Sequence, residues 1–227
     1  MNKFVLTDIH GCLKTFEEMI KKIDLSMDDK LFILGDLIDR GPNSKGVIDY
    51  IWKLKHEGYD VECVIGNHDQ MMLYAYQSMN WQGKWLYNGG WTTIESFQVN
   101  TLNDIPLQYF DFIRNMHYFI EVDDYILVHA GINFKNELPL DDTNAMLWIR
   151  NWYKDINYEW LNQRIIIHGH TPGSKTAVSE MHNLIEDNQY LNLDTGCVYK
   201  GKKEGLGYLA CFNLTSKELI FQENIDW

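Results

Sequence analysis

The 227-residue chain carries 45% hydrophobic and 23% charged residues, the make-up of a globular protein rather than a disordered, collagen-like or membrane-spanning one. Twenty Lys and Arg against 32 Asp and Glu leave a formal charge of −12, which argues against a protein that holds nucleic acid mainly by blanket charge attraction. Four scattered cysteines, Cys12, Cys63, Cys197 and Cys211, form no CxxC pair, and only Phe4-Val5-Leu6 is apolar before Asp8, so the expectation is a chain in a reducing, cytoplasmic compartment with no membrane partner.

Lys3–Thr7 predicts a first strand, and Leu13, Phe16, Met19, Ile20 and Ile23 recur at helical spacing behind it. Leu31–Leu34 predicts a second strand, Val47, Ile48, Ile51 and Trp52 a helix after Gly41-Pro42-Asn43-Ser44, and Val61–Ile65 a third strand. This alternation implies βαβ units and a partly parallel sheet. Residues from about 70 to 117 are expected to form a helical, aromatic-rich inserted segment. Tyr118–Val122 and Tyr125–Val128 predict a hairpin around Asp123-Asp124, and four more strands are expected at Arg164–Ile167, Tyr190–Leu193, Gly207–Phe212 and Glu218–Ile225. The whole reads as one α/β domain over residues 1–227, a two-layered mixed-sheet core flanked by helices.

Chemistry gathers where the strands stop. The predicted strands run into Asp8-Ile9-His10-Gly11, Gly35-Asp36-Leu37-Ile38-Asp39-Arg40-Gly41, Gly66-Asn67-His68-Asp69, His129-Ala130-Gly131 and His168-Gly169-His170-Thr171-Pro172. Ligands of open α/β sheets bind beyond the carboxyl ends of strands. Carboxylate, Asn carbonyl and imidazole donors together suit Mn²⁺, Fe²⁺ or Zn²⁺. Asp8, His10, Asp36, Asn67, His129 and His170 are too many for one tetrahedral zinc, yet enough for two metals sharing a carboxylate, which would ionise a water at neutral pH and clamp a phosphoryl oxygen.

These five motifs, in this order, resemble those of the metallophosphoesterases, and within them the phosphoprotein phosphatase branch. Asn88-Gly89-Gly90, Leu147-Trp148-Ile149-Arg150 and Asp194-Thr195-Gly196 resemble the bacterial and bacteriophage lambda type. The resemblance implies the metallophosphoesterase fold and two divalent ions, Mn first and Fe, Zn, Co or Ni as alternatives. It implies that Asp8, His10 and Asp36 hold one ion, and that Asp36, Asn67, His129 and His170 hold the other. It also implies His68 as general acid, oriented by Asp39, with Arg40, Asn67 and Arg150 on the phosphate. A fork of guanidinium donors suits a tetrahedral oxyanion. Such a cleft would be locally positive inside an acidic protein. The expected activity is serine/threonine phosphatase action on a phosphorylated protein by metal-activated hydroxide. The alternatives are hydrolysis of diadenosine tetraphosphate, a small phosphoester, and a catalytically silent phosphate-binding module. Thr7 stands where the family usually has Gly and Asp69 where some branches have Glu, and neither change falls on a proposed ligand. Pro172 replaces the extra histidine common in nuclease-like members, and Tyr199–Gly205 lengthens a late loop.

Other features favour ordinary roles. His168 is expected to pack or to support a ligand, while His56, His117 and His182 are expected at the surface. Trp81, Trp85, Tyr87 and Trp91 could line a groove or stack a base, but their spacing favours core or lid packing. Cys12 reads as a small buried residue, and Lys200-Gly201-Lys202-Lys203 as a solvated loop or an anion-attracting rim.

Overall fold

A computed structural model describes residues 1–227. Along the chain run β1 (Lys3–Leu6), α1 (Leu13–Lys22), β2 (Lys30–Ile33), α2 (Ser44–His56), β3 (Asp60–Cys63), α3 (Asn67–Gln77), α4 (Met79–Trp85), α5 (Trp91–Ser96) and α6 (Leu107–Arg114). There follow β4 (Phe119–Val122), β5 (Tyr125–Val128), α7 (Thr143–Trp148), α8 (Tyr158–Leu161), β6 (Ile165–His168), α9 (Lys175–Asn183), α10 (Ile185–Asn188), β7 (Tyr190–Asn192), β8 (Tyr208–Asn213) and β9 (Leu219–Glu223).

The strands make two mixed sheets. One has the order β3-β2-β1-β8-β9, the other β4-β5-β6-β7. β1, β2 and β3 are parallel, and β8 returns antiparallel beside β1. In the second sheet β5, β6 and β7 are parallel, with β4 antiparallel at the edge.

Side-chain alternation explains the layering. Phe4, Leu6, Leu31 and Ile33 face a core shared with α1, α2, α3 and α6, whereas Val5, Phe32 and Leu34 face the second sheet. On that sheet Leu127, Ile165 and Ile167 point into the shared middle layer, and Ile126, Val128 and Ile166 pack outward against Met146, Trp152 and Leu161. Strands buried on both faces read as continuous apolar runs, as those of β1, β2, β5 and β6 do. At roughly 25 cal/mol per Å² of apolar surface, this burial on both faces anchors the rigid ends from which the loops project.

The helical stretch starts at Asn67, three residues ahead of the expected 70, because the third motif itself opens α3. Between α4 and α5 the turn widens over Leu86–Gly90, with Gly89 at φ +108°. No helix is long and apolar enough to cross a membrane.

Candidate metal centre

Because β1, β2 and β3 are parallel, the loops after them leave the same edge of the first sheet, and the loops after parallel β5 and β6 leave the matching edge of the second. The two edges are sewn together. His129 Nδ1 donates to the Leu34 carbonyl at 2.8 Å and the His170 N–H to Asp8 Oδ2 at 3.1 Å, while within the second sheet the Gly169 N–H donates to the His129 carbonyl at 2.7 Å.

Left-handed backbone turns these loops into the cleft. Asp8 (φ +52°), His10 (+46°), Asp36 (+50°), Asp39 (+71°), Arg40 (+68°) and His170 (+72°) all lie in a region that side chains with a Cβ disfavour. Strained residues of this kind concentrate at functional sites. The close approach also demands glycine. A Cβ on Gly35 (φ +82°) would fall 2.3 Å from Gly66 N, and one on Gly169 would fall 2.1 Å from Asp8 Oδ2.

All six predicted ligands come together, each at most 6% exposed. Asp36 is central: its Oδ2 lies 3.3 Å from His10 Nε2 and its Oδ1 3.5 Å from His129 Nε2. Asp8, Asp36 and His129 form one group, and His10, Asp36 and His68 another, each offering ligand atoms within 4.8 Å of one another. Asn67 Oδ1 lies 3.0 Å from His129 Nε2 and 2.9 Å from His170 Nδ1.

The donor set fits divalent metal. Nδ1 of His10 donates to the Ile38 carbonyl at 2.8 Å, as His129 Nδ1 does to that of Leu34, so each ring turns its Nε2 to the cleft. His129 Nε2 sits against two oxygens, of Asn67 and Asp36. His170 Nε2 is buried without any partner. A buried imidazole nitrogen with no partner, beside converging carboxylate and amide oxygens, is what a cation resolves.

Electrostatics agree. Burial, aided by the Arg40 guanidinium, holds His10 well below the ordinary imidazole range, and burial with neighbouring His129 brings His170 down to about 2. Neutral imidazole is the ligating form. Burial pushes Asp8 up to about 6. Burial would raise Asp36 too, but His129, His68, His10 and Arg40 around it hold its carboxyl far below the usual range.

Beside the cluster, His68 Nδ1 donates to Asp39 Oδ2 at 2.8 Å. Asp39 is fully buried, and burial raises its carboxyl. Trp85 Nε1 donates to its Oδ2 at 2.9 Å and Thr93 Oγ1 to its Oδ1 at 2.7 Å. Arg40 NH1 donates to His10 Nε2 at 2.7 Å, and exposed Arg150 donates to Thr171 Oγ1 at 2.7 Å and lies close enough to His170 to depress its ring.

Three residues noted in the sequence for other reasons turn out to support the site. Thr7 and Asp69, outside the predicted ligand set, nonetheless each reach a member of it. Thr7 Oγ1 donates to Asp8 Oδ2 at 2.6 Å, and Asp69 Oδ2 accepts from the backbone N–H of Asp36 and Gly66 at 2.8 and 2.9 Å. The Asp69 contact was readable, since an acid three residues into a helix reaches back to the cap. Trp85 gave no such signal, being 46 residues from Asp39.

The aromatic group divides, against the expectation of packing throughout. Trp85 is fully buried, but Tyr87 is 92% exposed and Trp91 54%. His168 is buried and packs as expected, its Nε2 accepting from the Tyr153 hydroxyl at 3.0 Å. In the lysine loop, Lys200 pairs with Glu223 while Lys203 lies over the Tyr199 ring, whose other neighbour is Arg40.

Residues 1–205 match the family model described as calcineurin-like phosphoesterase. The asymmetrical bis(5'-nucleosyl)-tetraphosphatase PrpE of Bacillus mycoides is 24% identical over 90% of this chain and 89% of its own length. Among solved structures, a putative diadenosine tetraphosphatase superposes with a TM-score of 0.67 at 17% identity, over 98% of this chain and 93% of the other. A protein serine/threonine phosphatase from Saccharomyces cerevisiae reaches 0.68 at 12% identity, over 99% and 80%.

Proposed function

The chain belongs to the calcineurin-like phosphoesterase family and is a phosphoester hydrolase, and within that activity we propose that its substrate is a dinucleoside polyphosphate, cleaved in the manner named for its bacterial relatives. The observation that carries this reading is the match to bis(5'-nucleosyl)-tetraphosphatases over nine-tenths of both chains. It displaces serine/threonine phosphatase action, for which the support is motif resemblance and a likeness of fold at 12% identity.

Asp8, His10 and Asp36 would hold one divalent ion, and Asp36, Asn67, His129 and His170 the other. Mn²⁺ is our first choice for this mixed oxygen and imidazole set. When bound, such a pair supplies an ionised water and neutralises phosphoryl charge.

The chain's own residues do the rest. Arg40 holds phosphate oxygens as a planar fork, with its stem against Gly89, and Arg150, beside Thr171 and His170, joins it there together with the Asn67 amide. His68 protonates the departing oxygen through Nε2, because Nδ1 is committed to Asp39. Asp39 fixes the ring and is itself fixed by Trp85 and Thr93. Four cysteines, all free and buried, support a reducing compartment.

The test compares kcat/KM of the Mn²⁺-loaded enzyme on diadenosine tetraphosphate and on a phosphoserine peptide, with products separated by chromatography. The dinucleotide is expected to be the better substrate and to give ATP and AMP. A preference for the peptide would return the reading to protein phosphatase.

A further inference from the structure

Next to the metal centre lies an open cavity of about 530 Å³, walled by Met71, Trp81, Lys84, Tyr87, Asn88 and Trp148. Its size falls within the range of small-molecule sites. None of its lining residues is acidic, in a chain of net charge −12. Tyr87 is almost wholly exposed, Trp81 and Trp148 are half-buried, and the Lys84 ammonium sits 4.5 Å from the Trp81 ring centroid. Asn88 donates through Nδ2 to the Lys84 carbonyl at 2.7 Å, which leaves its Oδ1 as an acceptor.

The cavity is joined to the reacting centre on three sides. Met71 lies one turn along α3 from Asn67 and His68. The Trp148 ring centroid is 6.3 Å from that of His170, edge to face. Asn88 precedes Gly89, whose carbonyl accepts the Arg40 N–H at 3.2 Å. A phosphate chain lying over Arg40 would therefore deliver whatever it carries into this pocket.

We infer that this cavity is a nucleobase subsite: one base of the dinucleotide stacks on Tyr87 and, as the Lys84 ammonium swings off the Trp81 ring to neutralise the adjoining phosphate, on Trp81 as well, with Trp148 closing the side nearest the metal centre. Flat π faces suit any base, since stacking does not depend on its hydrogen-bonding edge. Asn88 Oδ1 adds an acceptor for an exocyclic amine. The inference rests on the dinucleoside polyphosphate reading and deepens it, because it explains how a nucleoside is chosen over a simple phosphoester.

The experiment measures Tyr87→Ala and Trp81→Ala on diadenosine tetraphosphate and p-nitrophenyl phosphate with Mn²⁺ bound, and AMP as an inhibitor of the second reaction. The ratio of kcat/KM on the dinucleotide to that on the small ester is expected to fall about tenfold, through KM, and AMP inhibition to weaken by a similar factor. An unchanged ratio overturns the subsite, as does a larger loss on a phosphotyrosyl peptide than on the dinucleotide. Wild-type enzyme that hydrolyses the small ester but no dinucleotide overturns the substrate reading instead. AMP inhibition then decides the subsite alone: weakened in Tyr87→Ala it stands, and unchanged it falls.

Discussion

Trp85→Phe takes one hydrogen-bond donor and part of one ring from a place that water cannot fill. The indole is fully buried, and its Nε1 lies 2.9 and 3.1 Å from the two oxygens of Asp39. A hydrogen bond to a charged acceptor contributes roughly 1.5–3 kcal/mol, and the void left by the missing ring about a further 1 kcal/mol. Thr93 and His68 still serve Asp39, so the carboxylate is under-solvated rather than orphaned. A loss of about 3 kcal/mol lowers the melting temperature of a chain this size by roughly 6–12 °C. The assay is thermal unfolding of metal-free protein in chelator, with Trp91→Phe as the control. Trp91 is 54% exposed, so that control should change little. A Trp85→Phe protein melting within about 2 °C of wild type would refute the view that the helical stretch is bound to the site through Asp39.

His68→Asn should lower turnover of an alkyl phosphate by roughly 10²–10⁴-fold and of p-nitrophenyl phosphate by much less, since a weakly basic leaving group needs little protonation; equal losses on both esters would remove the acid role. Gly169→Ala would press a methyl against Asp8 Oδ2, 2.1 Å away, and calorimetric titration should show Mn²⁺ affinity down by about 10–100-fold. Unaltered affinity would mean Asp8 is no ligand. Burial lowers His168 from 6.5 to about 4. A folded value below the unfolded one gives stability that is present above pH 6.5 and is lost as pH falls through about 4. The difference between wild type and His168→Gln in chemical denaturation should therefore shrink by on the order of 3 kcal/mol over that interval, and parallel profiles would contradict it.

How far the sequence reached depended on distance along the chain. β1, β2, β5 and β6 were legible because apolar β-branched runs buried on both faces leave no competing pattern. The motif loops were legible because Asp, Asn and His stood beside glycine at each strand end. Helix α9 (Lys175–Asn183) was not, since it buries only Val178 and so shows no helical stripe, although Ser174 caps it through Ala177 N. The pairing of strands into two sheets was equally hidden, β8 returning to β1 from two hundred residues away. In the site, the proposed ligands were visible as residue types, while their supports were not. Trp85 looked like another packing aromatic, and only tertiary proximity makes its N–H a partner of Asp39. The exposure of Tyr87 was likewise unreadable, because helical spacing says which side chains share a face but not whether anything covers that face.

Six chemistry-bearing residues with positive φ have a consequence for the way this protein would drift. A left-handed conformation costs a residue with a Cβ roughly 1–2 kcal/mol, somewhat less for Asp, and glycine adopts it freely. At Asp8, His10, Asp36, Asp39, Arg40 and His170 the relaxing substitution is therefore also the disabling one. Selection for thermal resilience without selection for turnover would erode these positions early, and it would yield sturdy copies stripped of the side chains proposed for metal and phosphate. Six left-handed side chains in one cleft are a standing strain that only their chemistry would offset.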